Sequence, residues 1–198
     1  MKQLKSWIRK EIINSSDIFT SIAEYCADDM TKASEIIISS IKKGNKILWC
    51  GNGGSAAQAQ HLSTELVCGL RTHDRISLSS ISLTTDTSLI TAWANDSDFK
   101  TVFSRQIEAI GKSGDVLIAI STSGSSINII EAVNNAKKNG IITIGFIGNQ
   151  KCKMRNICDV TISVPSDDTQ RIQEGHIMIG HIICEIVENQ IFNCNKKN

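Results

Sequence analysis

The most chemically informative residues in the sequence are His61 and Glu65. They stand four residues apart in an Ala- and Gln-rich stretch that predicts a helix from Ser55 to Cys68, so both side chains lie on one helical face about one turn from each other. An imidazole and a carboxylate in this arrangement can transfer protons or ligate a metal ion. Positioning them is the task of the elements around this helix.

Two turns have the composition of anion-binding loops. The first, Gly51-Asn-Gly-Gly-Ser55, follows an apolar run and precedes the helix that carries His61. Its glycines allow positive φ and a close approach to a ligand, and Ser55 is a preferred N-cap type. The second turn, Ser121 to Ser126, consists of hydroxyl side chains and one glycine and opens another helix. Hydroxyls and helix N–H groups can satisfy phosphate oxygens without a lysine, which predicts chemistry on a small phosphorylated substrate.

A dinucleotide site is the competing interpretation of the first turn. Gly51 to Ala56 formally fits G-x-G-x-x-G/A, but such a site needs an acidic residue at the end of the second strand to hold the ribose. Asp74 falls before that strand, and Thr84 and Thr85 follow it. The dinucleotide site is therefore disfavoured, and the absence of Gly-Lys-Ser/Thr excludes a Walker A loop.

The last predicted helix carries three further polar residues among isoleucines. Gln173 and His181 are eight residues apart, which corresponds to about 12 Å along a helix and an angular offset of ~80°. His176 falls on a different side and by itself favours a satisfied core histidine. Taken with His61 and Glu65, this helix offers a second imidazole and an amide, a set that suits a borderline metal such as zinc.

Composition excludes several classes of function. The chain has 198 residues and a formal net charge of +1, which gives no support to nucleic-acid binding. No apolar run approaches the ~20 residues of a spanning helix, and the N-terminus lacks the apolar segment of a signal peptide. Seven cysteines form an odd set without a C-x-x-C pair. These features predict a reduced, cytoplasmic protein with no membrane contact.

Apolar periodicity predicts an α/β fold. Short apolar runs alternate with amphipathic stretches, which implies right-handed crossovers and a doubly wound parallel sheet of five strands. The predicted strands are 47–50, 77–83, 116–120, 141–146 and 160–164, and the predicted helices are 55–68, 86–95, 99–110, 126–139 and 169–192. Ligands of such sheets bind beyond the carboxyl ends of the strands, where both anion-binding turns fall.

Residues 3–43 predict helices ahead of the first strand. Asn14 to Asp17 predicts a break in this segment, and Asp29 predicts the start of a further helix that stops at Gly44. Two interpretations are open: the segment packs on a partner subunit, or it is an ordinary part of the core.

Four motifs in order resemble those of the bacterial phosphoheptose isomerases, which are sugar-isomerase (SIS) domain proteins. They are residues 47–61, 120–126, 165–169 and 171–174, and the likeness runs from about Gly44 to Ile186. The resemblance implies a flavodoxin-like three-layer sandwich, with residues 44–198 as the SIS domain and residues 1–43 as a helical extension used in oligomer packing. It also implies a homotetramer with active sites between subunits, which converts sedoheptulose 7-phosphate to glycero-manno-heptose 7-phosphate. That reaction is the first step toward the ADP-heptose used in lipopolysaccharide or capsule.

The resemblance also implies roles for individual residues. Glu65 and His181 match the acid/base pair, and His61, Glu65, Gln173 and His181 match the ligands of one zinc ion per subunit. The positions that match substrate-binding residues are Asn52, Gly53, Gly54, Ser55, Asn95, Asp96, Ser121, Thr122, Ser123, Ser126, Thr169 and Gln173. One motif departs from the family: Gly-Arg-aromatic is replaced by Cys68-Gly-Leu-Arg71, out of step, so whether Arg71 serves as that arginine is open.

The chemistry of the implied reaction is consistent with these residues. Moving a carbonyl between C1 and C2 requires removal of a carbon-bound proton and formation of an enediolate, for which Glu65 is the expected base and His181 the acid. Two other functions are open. The first is a non-catalytic binding protein like the SIS-domain relative that associates with the replication initiator DnaA, although that relative lacks the acid/base pair that this chain keeps. An isomerase for another phosphosugar is the second alternative.

Overall fold

A parallel sheet lies at the centre of the structure, a computed structural model that describes residues 1–192. Within those residues the sheet has five strands: β1 (Ile47–Gly51), β2 (Ser80–Ser82), β3 (Val116–Ile120), β4 (Ile142–Ile147) and β5 (Val160–Ser163). The strand order is β2-β1-β3-β4-β5 and every pairing is parallel. The predicted doubly wound, flavodoxin-like α/β fold is confirmed.

The strand order reverses between β1 and β3, because the chain leaves β1 toward one edge of the sheet and later returns to place β3 on its other side. A switch point of this kind opens a crevice at the carboxyl ends of the strands. The register aligns Ile47 with Val116 and Gly51 with Ile120. The two predicted anion-binding turns therefore begin side by side at the crevice.

Helices cover both faces of the sheet. In the part of the chain that the structure describes, they are α1 (Lys2–Tyr25), α2 (Ala27–Lys42), α3 (Gly54–Cys68), α4 (Thr87–Asp96), α5 (Val102–Ile110), α6 (Ile127–Lys138), α7 (Met154–Ile157) and α8 (Thr169–Phe192). Helices α1, α2, α3 and α8 pack on one face, and α4, α5, α6 and α7 pack on the other. Alternate residues of each strand enter opposite cores, such as Ile118 on one side and Leu117 on the other.

The predicted break at Asn14 to Asp17 is wrong, because α1 continues without interruption from Lys2 to Tyr25. The hydroxyl of Ser15 donates to the carbonyl of Glu11 one turn earlier, so it is satisfied inside the helix instead of capping a new one. The chain breaks at Cys26, and α2 begins at Ala27 rather than Asp29.

Three other elements differ from the predicted bounds. The second strand is shortened to Ser80–Ser82 at the sheet edge, where, within residues 1–192, β1 is its one partner. A 3₁₀ turn at Phe99–Thr101 precedes α5, and the short helix α7 was not predicted. The short edge strand β2 and single helical turns have weak apolar periodicity, which explains why the sequence locates them poorly.

The two N-terminal helices differ in burial. Helix α2 contributes Met30, Ala33 and Ile37 to the core that also contains α8. The first half of α1, in contrast, exposes five large apolar side chains: Leu4, Trp7, Ile8, Ile12 and Ile13. The domain boundary at residue 43 and the role of α1 in oligomer packing stay predictions.

Within residues 1–192 the cysteines are free thiols, and the predicted odd set also includes Cys194, which lies outside the described residues. None of the helices in the same range combines the length and the apolar character that a membrane crossing requires.

Candidate active site

The first anion-binding turn joins β1 to α3 and is shaped by glycine. Gly53 has a φ of +54° and directly precedes the helix, which begins at Gly54. The expectation that Ser55 caps this helix is wrong: Gly53 occupies the cap position, and Ser55 lies buried in the first turn. A Cβ built on Gly53 would meet no atom within 4 Å, so this side of the turn is open to a ligand.

The side chain of Gln173 lies against the same turn. A Cβ at Gly54 would come within 2.6 Å of the Gln173 Nε2 atom, so only glycine allows the amide to sit there. Gln58 Nε2 also donates to the backbone carbonyl of Gln173 at 2.6 Å. These contacts hold the beginning of α8 beside the beginning of α3.

The second anion-binding turn brings two hydroxyls together. Ser121 is buried, its Oγ accepts a hydrogen bond from the N–H of Gly124 at 3.1 Å, and it lies 3.2 Å from the Oγ of Ser126. Ser123 is exposed and accepts from the N–H of Ser125. Ser121, Ser123 and Ser126, which the resemblance matches to substrate-binding positions, are thus held in one loop by hydrogen bonds within that loop.

An amide pair joins the two turns. Asn52 Nδ2 donates to Asn128 Oδ1 at 2.9 Å, and Asn128 Nδ2 donates back to Asn52 Oδ1 at 2.8 Å. Asn128, on α6, is buried and was not predicted as a site residue, because a single asparagine in a helix carries no sequence signal. The pair connects the first turn to the beginning of α6, directly after the second turn.

His61, Glu65 and His181 converge between α3 and α8. The Nε2 atoms of the two histidines are 2.7 Å apart, and His61 Nε2 lies 3.1 Å from Glu65 Oε1. The three potential ligand atoms all lie within 4.8 Å of one another. The Glu65 and His181 side chains therefore meet within a single chain. Whether they act as the acid/base pair stays a prediction.

The chemistry of these three side chains fits a zinc ion. His61 Nε2 faces both a ring nitrogen and a carboxylate oxygen, yet one ring nitrogen carries at most one proton and can donate to only one of them. Two imidazoles and a carboxylate whose ligand atoms lie this close together form a common zinc ligand set. Gln173 instead contacts the turn at Gly54, seven residues or about 10 Å along α3 from His61. Its role as a fourth ligand stays a prediction.

The remaining predicted substrate residues lie at the rim. Thr169 is the first residue of α8 and is exposed. Asn95 and Asp96 form the exposed end of α4, where Asn95 Nδ2 donates to Asp96 Oδ1 at 2.7 Å. Thr122 lies in the second anion-binding turn, and its carbonyl accepts from the N–H of Gly148. Their contacts with substrate stay predictions.

Two residues that the sequence left open have defined environments. Arg71 follows α3 and pairs with Glu185 on α8, with its Nη2 atom 3.1 Å from the carboxylate. His176 is fully buried, and its Nε2 atom lies 3.1 Å from the carbonyl of Ile147. Burial lowers the pKa of His176 to about 4, so it is a neutral core histidine. The sequence favoured a satisfied one, but within the described residues only Nε2 has a partner, and the buried Nδ1 atom has none.

Comparison with known proteins identifies the family of the chain. A family model described as the SIS domain matches residues 12–148. A phosphoheptose isomerase from Clostridium acetobutylicum is 47% identical over 96% of this chain and 97% of its own length. One from Aliarcobacter butzleri is 47% identical over 95% of this chain and 99% of its own length.

Two solved structures have the same fold. The structure of phosphoheptose isomerase GmhA from Neisseria gonorrhoeae superposes with a TM-score of 0.88 at 37% identity, covering 94% of this chain and 99% of that one. A phosphoheptose isomerase structure from Francisella tularensis gives 0.90 at 32% identity, with 96% and 100% covered. The chain belongs to the phosphoheptose isomerase family of SIS-domain proteins.

Proposed function

We propose that this isomerase converts D-sedoheptulose 7-phosphate to D-glycero-D-manno-heptose 7-phosphate through an enediol. The convergence of Glu65 and His181 beside two anion-binding turns is the observation that carries the proposal. Helix α3 links the two parts of the site, since it begins at the first turn and carries His61 and Glu65 two to three turns further along. The names of the relatives described above agree with this reaction.

The phosphate is held at the switch point in this proposal. The N-terminus of α3 offers its dipole to an anion, and the hydroxyl groups of the two turns accept and donate hydrogen bonds to phosphate oxygens. The side chains assigned to this task are Ser55, Ser121, Thr122, Ser123 and Ser126.

Glu65 and His181 carry the proton transfers. The Glu65 carboxylate takes a proton from C1 of the ketose, the C1–H electrons form the C1–C2 double bond, and the carbonyl oxygen O2 takes a proton from a ring N–H of His181. In the second half, His181 takes the proton from O1 as the C1 carbonyl forms, and Glu65 returns its proton to C2. Each group ends in its starting state, as general acid/base catalysis requires.

Zinc is the expected cofactor, one ion per subunit. His61, Glu65 and His181 would hold the ion, with Gln173 as the predicted fourth ligand, and the ion would supply Lewis acidity toward the two reacting oxygens. Metal analysis of protein purified without added metal, and activity with and without a chelator, measure this requirement.

A homotetramer in the cytoplasm is the proposed working form, with sites at subunit interfaces. The exposed apolar side chains on α1, including Trp7 and Ile12, support burial of this helix against other subunits. Free thiols within residues 1–192 agree with a reducing compartment. The product would enter the route to ADP-heptose for lipopolysaccharide or capsule. Sedimentation analysis measures the assembly state.

The decisive experiment is turnover of sedoheptulose 7-phosphate by the purified protein and by a Glu65→Gln variant. Removal of the base is expected to reduce kcat by ~10²- to 10⁴-fold, with phosphate binding and the melting temperature near their wild-type values. Glu108→Gln is the control, because that exposed carboxylate lies on α5, which packs on the opposite face of the sheet.

Full activity in Glu65→Gln would remove this residue from the mechanism. Shorter and longer ketose phosphates should be assayed in parallel. Turnover of one of these without turnover of sedoheptulose 7-phosphate would assign a different phosphosugar, and tight binding of phosphosugars without turnover would favour the binding-protein alternative.

A further inference from the structure

Arg75 and Glu188 form a buried ion pair beside the candidate active site. The Arg75 Nε atom lies 2.7 Å from Glu188 Oε2, and the two side chains are 3% and 1% exposed. The Arg75 guanidinium also lies over the ring of Phe192, 5.0 Å from its centroid. Because desolvation of two charges is costly, a pair this buried has to be satisfied by further hydrogen bonds.

Those further bonds go to the backbone at the end of α3. The Arg75 Nη2 atom donates to the carbonyls of Glu65 and Leu66, each at 2.9 Å. These carbonyls lie in the last turn of the helix, where cations are favoured by the helix dipole. Arg75 therefore binds the main chain of the proposed base itself.

Glu188 binds the loop that follows α3. Its carboxylate accepts from the N–H groups of Leu70 at 2.9 Å, Arg71 at 2.9 Å and Thr72 at 3.1 Å. Burial raises the pKa of Glu188, but the hydrogen bonds from Arg75 and the loop outweigh it, so the net pKa lies below its usual range. Glu188 is thus an anion with four donors from one short segment.

The pair connects the two helices that supply the catalytic groups. Glu188 lies on α8 seven residues after His181, about 10 Å along the helix. Arg75 donates a hydrogen bond to the carbonyl of Glu65 on α3. We propose that Arg75 and Glu188 are positioning residues that fix α3 along its axis relative to α8 and so keep the Glu65 carboxylate opposite His181. This inference rests on the proposed function for its kinetic consequence, but its geometric consequence is independent of it.

A purely structural role is the alternative, and the chain contains a matched pair that tests it. Lys46 and Asp115 form a second ion pair, with a separation of 2.5 Å and side chains 14% and 2% exposed, so that its carboxylate is also buried. Asp115 likewise accepts from backbone N–H groups, those of Lys46 and Lys112. This pair lies at the amino ends of β1 and β3, the opposite edge of the sheet from the site.

The experiment compares Glu188→Gln with Asp115→Asn. Both changes remove a buried charge that binds one basic side chain and backbone donors, so similar losses of melting temperature are expected. Misplacement of a catalytic group by ~1 Å can cost up to ~10²-fold in rate. We expect Glu188→Gln to lower kcat on sedoheptulose 7-phosphate by ~10- to 100-fold with little change in KM, and Asp115→Asn to keep kcat near wild type.

Arg75→Lys is the second variant, in case Glu188→Gln does not fold. Lysine keeps the positive charge but lacks the planar fork that reaches the carboxylate and the Glu65 carbonyl together. It is expected to show the same loss of kcat at a smaller loss of stability. A crystal structure of either variant supplies the readout that does not depend on turnover, the separation of the Glu65 carboxylate and His181 Nε2.

The outcomes separate the two ideas. A lengthened Glu65–His181 separation together with lowered kcat supports the positioning role. An unchanged separation, or a loss of kcat no larger than in Asp115→Asn, overturns it. If the wild-type protein does not turn over sedoheptulose 7-phosphate, the proposed function fails, and the separation measured in the variant crystals alone decides the positioning role.

Discussion

Gly180 sets how closely α8 approaches α3 at the level of the two histidines. A Cβ built at this position would lie 2.6 Å from the Leu62 Cδ2 atom and 3.0 Å from its Cγ. Leu62 is fully buried, so it has little room to move away. Because Gly180 and Leu62 are the chain neighbours of His181 and His61, a Gly180→Ala substitution would act directly on the spacing of the cluster.

The expected size of the effect follows from two opposing terms. Overpacking a core lowers the free energy of unfolding by ~1–3 kcal/mol, whereas replacing a helical glycine by alanine raises it by about 1 kcal/mol. The net destabilisation is therefore ~0–2 kcal/mol, or up to ~8 °C in melting temperature for a chain of this size. For the new Cβ at position 180 to make an ordinary van der Waals contact with Leu62, helices α8 and α3 have to separate by about 1 Å. A shift of this size can lower kcat/KM by up to ~10²-fold.

Gly175→Ala is the matched control. Gly175 is also a buried glycine in α8, and a Cβ there would lie 2.9 Å from Ile22 Cδ1 and 2.9 Å from Val164 Cγ2. This crowding is directed at α1 and the end of β5, away from α3. Thermal unfolding and sedoheptulose 7-phosphate turnover should be measured for both variants. Equal kcat/KM values in Gly180→Ala and Gly175→Ala would refute the argument that close helix packing positions the cluster.

Two further predictions concern residues outside the cluster. Asn128→Ala leaves the Asn52 amide without its reciprocal partner. We therefore expect the free energy of unfolding to fall by ~1–3 kcal/mol and KM to rise about tenfold at unchanged kcat. An unaltered KM would show that the two turns keep their spacing without the pair. His176 is neutral when the protein is folded, because burial lowers its pKa from 6.5 to about 4. Its contribution to the free energy of unfolding is therefore fully present above about pH 6.5. That contribution is lost toward pH 4, by up to ~1.4 kcal/mol per pH unit. Urea unfolding between about pH 7 and pH 5 should show a shallower pH dependence for His176→Leu than for wild type, and parallel curves would contradict the assignment.

Local sequence pattern determined the elements and the chemistry they carry. Continuous apolar runs predicted β1, β3 and β4 closely, because strands buried on both faces need apolar residues throughout. The spacing of His61 and Glu65 placed them on one helical face, and a helical period does not depend on distant parts of the chain. The predicted break in α1 failed, because a hydroxyl that can cap a helix can equally bond to its own preceding turn, as Ser15 does.

Only the tertiary structure decided which of these groups meet. His181 reaches His61 across 120 positions of sequence, and Gln173 contacts Gly54 instead of the histidines. Asn128 and the Arg75–Glu188 pair gave no signal, because their partners are 76 and 113 residues away. The register of α8 on α3 decides the contacts of His181 and Gln173. That register depends on which side chains interlock at Gly180 and Leu62, a property of two packed surfaces that the periodicity of either helix does not contain.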